Sequence, residues 1–375
     1  MNVPEHYAKE ILREGGIATP RGRVARTADD ASAVTRELGG RVAIKAQVPA
    51  GKRGRAGGIA FAASPHEARE KAAALLGTSI AGYVVEAVLV EEAVEIAREL
   101  YAAILNDGAS RSPLVLFADE GGIEIEELHA RAPDSVRTAT VDIRRGLDPE
   151  RAARLARHPG VADVLLRMYE RFATLDCELL EINPLAIDRK GDLVALDCKL
   201  ALDDSARPRH ETLFAEVERL VGPQGTELER RARAAGLYYI ELGGNVGVLA
   251  NGAGLTMTTI DAIAHAGGAP ANFLEIGGEA YTKATAALEL VLANPRVESV
   301  LVNFCGAFAR TDVMAEGVVA GYEALRPRVP FFFSIHGTGE ERANAIVRAR
   351  LGARPHAVME DAVRAAVAAA AAIRA

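Results

Sequence analysis

Three groups of residues in this chain have types and spacings that handle phosphate or a metal. The first is V-A-I-K-A-Q-V-P-A-G-K-R-G-R-A-G-G-I-A-F, residues 42–61. An apolar run, Val42-Ala43-Ile44, carries Lys45, and a loop of glycines and bases follows, Gly51-Lys52-Arg53-Gly54-Arg55-Ala56-Gly57-Gly58. Glycines let a backbone fold over an anion, Arg53 offers a fork of donors, and Lys45 reaches in from the strand as a point charge. The loop lacks the G-x-x-x-x-G-K-[ST] of a Walker loop. A glycine-rich surface turn with solvated bases explains the same residues.

The second group is C-E-L-L-E-I-N-P-L-A-I-D-R-K-G-D-L-V-A-L-D-C-K-L, residues 177–200, a hairpin with Arg189-Lys190-Gly191-Asp192 as its turn. A turn centred near Lys190 sets Asn183 opposite Asp197 and Glu181 opposite Lys199. Alternation puts these four on one face, and Leu180, Ile182, Val194, Leu196, Cys198 and Leu200 on the other. A carboxylate beside an amide is a pair of hard oxygen ligands suited to Mg²⁺, with phosphate oxygens and water completing the shell. The alternative is a solvated polar face on a half-buried hairpin. The third group is Glu91 and Glu99. In extended chain both fall on one face, where carboxylates can accept from ribose hydroxyls; a charged solvent face is the alternative.

Elements must hold these side chains in place. Residues 4–14 and 28–38 read as helices, the second capped by Thr27, and residues 66–76 as another with Ser64 at its cap. Residues 41–47 and 58–62 read as strands flanking the glycine loop. Residues 87–107 and 112–122 read as long strands of an antiparallel sheet, and 149–175 as mostly helix. Residues 201–228 are polar, with Pro208 and Pro223, and the boundary is expected at 230/231. Beyond it one unit repeats, strand, glycine loop, helix, about every 30 residues, the size of a βα unit. That pattern predicts an open parallel sheet with four glycine loops at its carboxyl edge, where helix amino-termini favour anions. The alanine-rich end, 365–372, reads as a final helix.

Bulk properties exclude some partners. A net charge of −7 argues against a dedicated nucleic-acid binder. No apolar stretch is long enough to span a bilayer, and Met1-Asn2-Val3-Pro4-Glu5-His6 lacks the pattern of a signal peptide. Three cysteines without close metal spacing read as reduced thiols in a cytoplasmic protein.

The ordered set I-K-A-Q-V with G-K-R-G-R-A-G-G, L-V-E-E-A-V-E-I-A-R-E-L-Y, E-G-G-I-E-I-E-E, E-I-N-P-L, L-D-C-K-L, G-N-V-G-V-L-A-N-G-A-G-L-T-M, G-G-A-P-A-N-F-L-E-I-G-G and V-L-V-N-F-C-G-A-F-A-R resembles the β subunits of ADP-forming acyl-CoA ligases. Succinyl-CoA synthetase and malate–CoA ligase are members of that family. The resemblance runs the length of the chain. It implies an α/β protein with an ATP-grasp nucleotide-binding domain over residues 1–230 and a flavodoxin-like CoA-ligase domain over 231–375. By matched position, Lys45, Arg53 and Gly54 would contact nucleotide phosphates, and Glu91, Val94 and Glu99 would line the nucleotide pocket. Asn183 and Asp197 would hold Mg²⁺. Glu181 would face a phosphorylated histidine of the partner, with Lys45 also acting on the transfer. Asn251 and Gly306-Ala307-Phe308-Ala309 would bind the organic acid. ATP or GTP would be the co-substrate, and a separate α subunit would carry the phosphohistidine and most of the CoA site. None of this chain's eight histidines matches a catalytic position; His129, His158 and His210 are expected at the surface.

The chain departs from the family in four places. Pro49-Ala50-Gly51-Lys52 replaces histidine-alanine-glycine-glycine before the loop arginine. Gly277-Gly278-Glu279 replaces a glycine triplet, setting a carboxylate beside the expected phosphate, with His336 or Arg310 as the cations to offset it. N-F-C-G-A-F-A-R, 303–310, and Ser334-Ile335-His336-Gly337-Thr338 replace the family's residues around the acid. The last two predict an active ligase whose best acid is not succinate, a hydroxylated acid such as malate being one candidate. Two other readings are a non-catalytic or regulatory paralogue that binds nucleotide and the α subunit, and a stand-alone ATP-grasp carboxylate–amine ligase, which the second domain disfavours.

Overall fold

The computed structural model of the chain describes residues 1–48, 56–123, 125–156, 158, 160–222, 225–277 and 283–372. It divides into two compact units, Met1–Gly222 and Pro223–Ala375. The expected boundary at 230/231 falls inside a helix, Glu227–Ala234, which a capping box of Thr226 and Glu229 starts within the second unit.

The first unit is built on two antiparallel sheets. The smaller runs in the order Gly22–Ala25, Val88–Glu92, Val42–Ala46, Ile59–Ala62. Helices Ala28–Leu38 and Pro65–Leu75 cover it, sharing a core with Val42, Ile44, Val88 and Val90. Thr27 and Ser64 cap these helices as expected, accepting from the amides of Asp30 and Glu67. The larger sheet runs Asn2–Val3, Lys199–Leu202, Cys177–Asp188, Ile96–Asp107, Ser112–Ala118, Val136–Thr140. Helices Glu5–Glu14, Val161–Thr174 and Glu211–Val221 pack on it through Ile11, Leu12, Leu165, Met168 and Phe214.

Residues 87–107 do not form one strand. The chain leaves the small sheet after Glu92 and joins the large one at Ile96, so a single apolar run serves two sheets. Ala93 donates its amide to Arg41 O at the crossing. The second expected strand is also shorter, ending at Ala118.

The second unit holds a five-stranded sheet, Tyr238–Glu241, Asn272–Glu275, Val246–Ala250, Ser299–Gly306, Phe331–Gly337. The last four are parallel, as the repeat predicts; Tyr238–Glu241 adds an antiparallel edge the repeat does not announce. Helices Ala284–Ala293, Thr311–Leu325 and Glu340–Leu351 cover one face, and Ala253–His265 with Met359–Ala372 the other.

Candidate functional site

The expected register of the hairpin holds. Glu181 pairs with Lys199 and Leu185 with Ala195, which places Asn183 and Asp197 across from each other between these pairs. Asp188 fixes the turn, its Oδ1 accepting from the amides of Lys190 and Asp192. Leu180, Ile182, Cys198 and Leu200 are buried on the far face as expected, whereas Val194 and Leu196, expected there too, are only half-buried, and Leu185 and Ala195 are buried instead near the turn end.

Asn183 is tied to a turn that sequence reasoning quoted but did not place. Gly122 N donates to Asn183 Oδ1 at 2.7 Å, and Asn183 Nδ2 donates to Ile123 O at 3.0 Å. This Gly121-Gly122 turn lies flat on the Ile96–Asp107 strand. A Cβ on Gly121 would meet Leu100 O at 2.2 Å, and one on Gly122, whose φ is +74°, would meet Glu99 Oε2 at 2.2 Å. Glu99 thus sits under the turn, and burial raises its carboxyl above the usual range. Asp197 Oδ1 accepts from Cys198 N at 2.8 Å. Glu181 Oε2 accepts from the buried Tyr101 hydroxyl at 3.2 Å.

Lys45 is buried within its strand. It lies in a buried quartet with Glu5, Lys9 and Glu91, of which no side chain is more than 9% exposed. Its Nζ stands 2.6 Å from Glu91 Oε1 and 3.4 Å from Glu5 Oε1, and donates to Leu196 O at 2.5 Å. Lys9 Nζ stands 2.9 Å from Glu5 Oε1 and 2.7 Å from Glu91 Oε2. Burial opposes the charge on Lys45, but Glu5, Glu91 and Asp197 together outweigh it and raise its pKa above the ordinary lysine value. Glu91 therefore spends both oxygens on lysines. It does not share a face of one strand with Glu99, because the two lie in different sheets. Val94 is half-buried in the crossing between those sheets.

Sequence reasoning missed Glu5 and Lys9. The signal was available: Glu5, Ala8, Lys9 and Leu12 all fall on the buried face of their helix, and two opposite charges on an apolar face mark a buried pair. Arg53 and Gly54, with the rest of the 49–55 loop, lie outside the described residues, as does Glu279.

In the second unit, Asn251 fastens the end of a neighbouring strand. Its Oδ1 accepts from Cys305 N at 2.7 Å and its Nδ2 donates to Cys305 O at 2.8 Å. The loop that follows is held from the other side. Thr338 N donates to Gly306 O at 3.0 Å, its hydroxyl donates to Ala307 O at 2.9 Å, and Thr338 O accepts from Thr311 N at 2.9 Å. Gly337, φ +86°, has no room for a side chain, since a Cβ there would meet Gly306 O at 2.1 Å. Phe308 is fully exposed at the loop tip. The two groups expected to offset Glu279 already have carboxylate neighbours: Arg310 grips Asp312 with two hydrogen bonds, and His336 Nδ1 lies 3.6 Å from Glu340 Oε1. Ser334 is fully buried in its strand. His210, expected at the surface, is mostly covered, with Nε2 2.8 Å from Asp176 Oδ2.

Among the described residues, no three His, Cys, Asp or Glu side chains gather where they could hold a metal. A cation held by Asn183 and Asp197 would need further oxygen ligands beyond these two side chains. Among the described residues, no helix is long and apolar enough to cross a membrane.

The family model described as an ATP-grasp domain matches residues 2–187, and that described as CoA-ligase matches residues 249–372. The chain is 40% identical over 358 residues to the succinate–CoA ligase [GDP-forming] subunit beta of Thermus thermophilus, covering 93% of this chain and 94% of that one. It is 41% identical to the succinate–CoA ligase [ADP-forming] subunit beta 2 of Streptomyces coelicolor, covering 96% and 94%. The corresponding ADP-forming subunit of Chloroflexus aurantiacus is 40% identical over 99% of both chains. Among solved structures, the ATP citrate lyase of Methanothrix soehngenii shares the fold, with a TM-score of 0.72 and 19% identity over 98% of this chain and 100% of that one.

Proposed function

The chain belongs to the family of succinate–CoA ligase β subunits, and from that premise we propose how its two units divide the ligase reaction. The observation that carries the proposal is the reach of Lys45 from the small sheet to Leu196 O, one residue from Asp197 on the hairpin of the large sheet. A phosphate-binding lysine and a metal-binding pair thereby meet at one place. ATP or GTP would lie there, with Lys45, Arg53 and Gly54 on its phosphates and Val94, Glu99 and Glu91 forming or supporting its pocket.

Asn183 and Asp197 fit Mg²⁺. Both offer hard oxygens, and Asn183 Oδ1, with one bond from Gly122, keeps a second lone pair. When bound, the cation would screen the negative charge of the phosphate oxygens. Glu181, oriented by Tyr101, would face the partner's histidine as it takes the phosphoryl group. The partner would be an α subunit carrying that histidine and most of the CoA site, and the complex would be cytoplasmic.

The second unit would hold the organic acid. Asn251 would set the end of the Ser299–Gly306 strand, and the backbone of Gly306, Ala307 and Phe308 would meet the carboxylate. The acid would accept the phosphoryl group from the histidine, and CoA thiolate would displace phosphate from the acyl phosphate; two substitutions replace one hard condensation. The relatives above are named as ligases, and nothing favours the non-catalytic alternative. The test is to co-express the chain with its α partner and supply γ-labelled ATP or GTP. Label on a histidine, discharged by an organic acid plus CoA, is expected; no label with either nucleotide would overturn the proposal.

A further inference from the structure

An ammonium has three N–H donors, and among the described residues Glu91 Oε1, Leu196 O and Glu5 Oε1 stand within 3.4 Å of Lys45 Nζ, with the charge of Asp197 acting on it as well. A phosphate oxygen arriving at this lysine must displace one of them. The contacts to Glu91 at 2.6 Å and Leu196 at 2.5 Å are short, whereas Glu5 stands at 3.4 Å. The same Glu5 oxygen is already held by Lys9 at 2.9 Å, one helical turn away on the buried face of Glu5–Glu14. The quartet carries two positive and two negative charges, each carboxylate touching both lysines, so its charges balance only while both lysines are present.

We infer that Glu5 and Lys9 act as positioning residues that let Lys45 exchange a carboxylate for a nucleotide phosphate. Within the quartet Glu5 completes the coordination of Lys45. When phosphate takes its place, Glu5 stays in the interior and Lys9 neutralises it. A carboxylate abandoned there without a cation would cost far more than a surface one, so Lys9 makes the exchange affordable. The carboxylate of Glu91 keeps Lys45 aimed at the hairpin throughout. This inference rests on the nucleotide-binding reading above.

The opposed signs of the two members supply the test. In the complex with the α partner, Lys9→Met should raise the nucleotide Kd tenfold or more, because two quartet carboxylates then share Lys45. Glu5→Gln should lower it threefold or more, because a weaker competitor remains. The double variant Lys9→Met/Glu5→Gln should return the Kd to within about threefold of the unaltered complex, and Lys9→Arg should rescue most of the loss. Calorimetry with ATP and GTP reads Kd directly, and the KM for nucleotide should move with it while the KM for the organic acid does not. A merely structural pair would give Kd changes of one sign, with the double variant no better than either single; that result overturns the inference. Where Lys9→Met fails to fold, Glu5→Gln decides alone, an unchanged or weaker Kd refuting the exchange. An unaltered complex that binds nucleotide yet forms no phosphohistidine defeats the ligase reading and leaves the Kd pattern to judge the exchange. One that binds neither nucleotide overturns both.

Discussion

At the scale of single residues, Lys45 and Asp197 separate two kinds of loss. Lys45 is buried among charges, so Lys45→Ala strands Glu5 and Glu91 with Lys9 as the remaining lysine of the quartet. We expect it to abolish histidine phosphorylation and to lower stability by about 3–5 kcal/mol, measured by denaturant unfolding. Asp197 is only half-buried. Asp197→Asn should leave the denaturation midpoint almost unchanged and slow phosphorylation a hundredfold or more, roughly 3 kcal/mol of barrier. The raised pKa of Lys45 also fixes a sign. Its stabilisation is complete below the ordinary lysine pKa and is lost as pH climbs through the higher folded value. The thiols divide similarly. Burial, then Asp176, pushes the Cys177 thiol up to about 12, and burial raises Cys198 as well, while Cys305 is exposed at the end of its strand. At pH 8 a maleimide should label Cys305 alone, and all three thiols after unfolding; mass spectrometry of the native digest checks it.

At the scale of elements, the Gly121-Gly122 turn is the support of Asn183 that a single added methyl disturbs most. Gly121→Ala sets a Cβ 2.2 Å from Leu100 O, a backbone atom of the strand beneath, so the turn must lift and release Asn183. The expected result is a loss of about 1–3 kcal/mol in stability and a weaker response of activity to Mg²⁺, read from a magnesium titration. Much at this scale could be read from the sequence. Alternation gave the 177–200 hairpin its register and faces, and capping residues marked helix starts at Ala28 and Pro65, because both signals are local. The break at Ala93–Glu95 was not legible, since a run of β-forming residues looks the same whether it stays in one sheet or crosses to a second. The quartet was missed for a related reason: Glu5, Lys9, Lys45 and Glu91 come from three elements that only the tertiary fold brings together. The edge strand Tyr238–Glu241 was hidden because it enters before the βα repeat begins.

At the scale of the whole molecule, the hydrophobic clusters of Met1–Gly222 and Pro223–Ala375 share no residue, so each unit has its own core. Residues 223–375 expressed alone should fold with a cooperative thermal transition and a helix-rich circular dichroism spectrum; a gradual melt would show that the unit leans on the rest of the chain. For the assembled ligase, a panel of mono- and dicarboxylic acids should place succinate below another acid in kcat/KM, a lead by succinate of tenfold, about 1.4 kcal/mol, refuting that expectation. The segments 303–310 and 334–338, proposed above to surround the acid, are joined through adjacent strands in direct register: Asn303 beside Ser334, Cys305 beside His336, Gly306 beside Gly337. Thr338 then ties its loop to Ala307. A lineage changing its preferred acid is therefore not free to edit one segment at a time, because each substitution is screened by the neighbour it touches. With both segments meeting the acid as proposed, specificity would be inherited as a matched pair of strand ends, and intermediates carrying one half should be scarce.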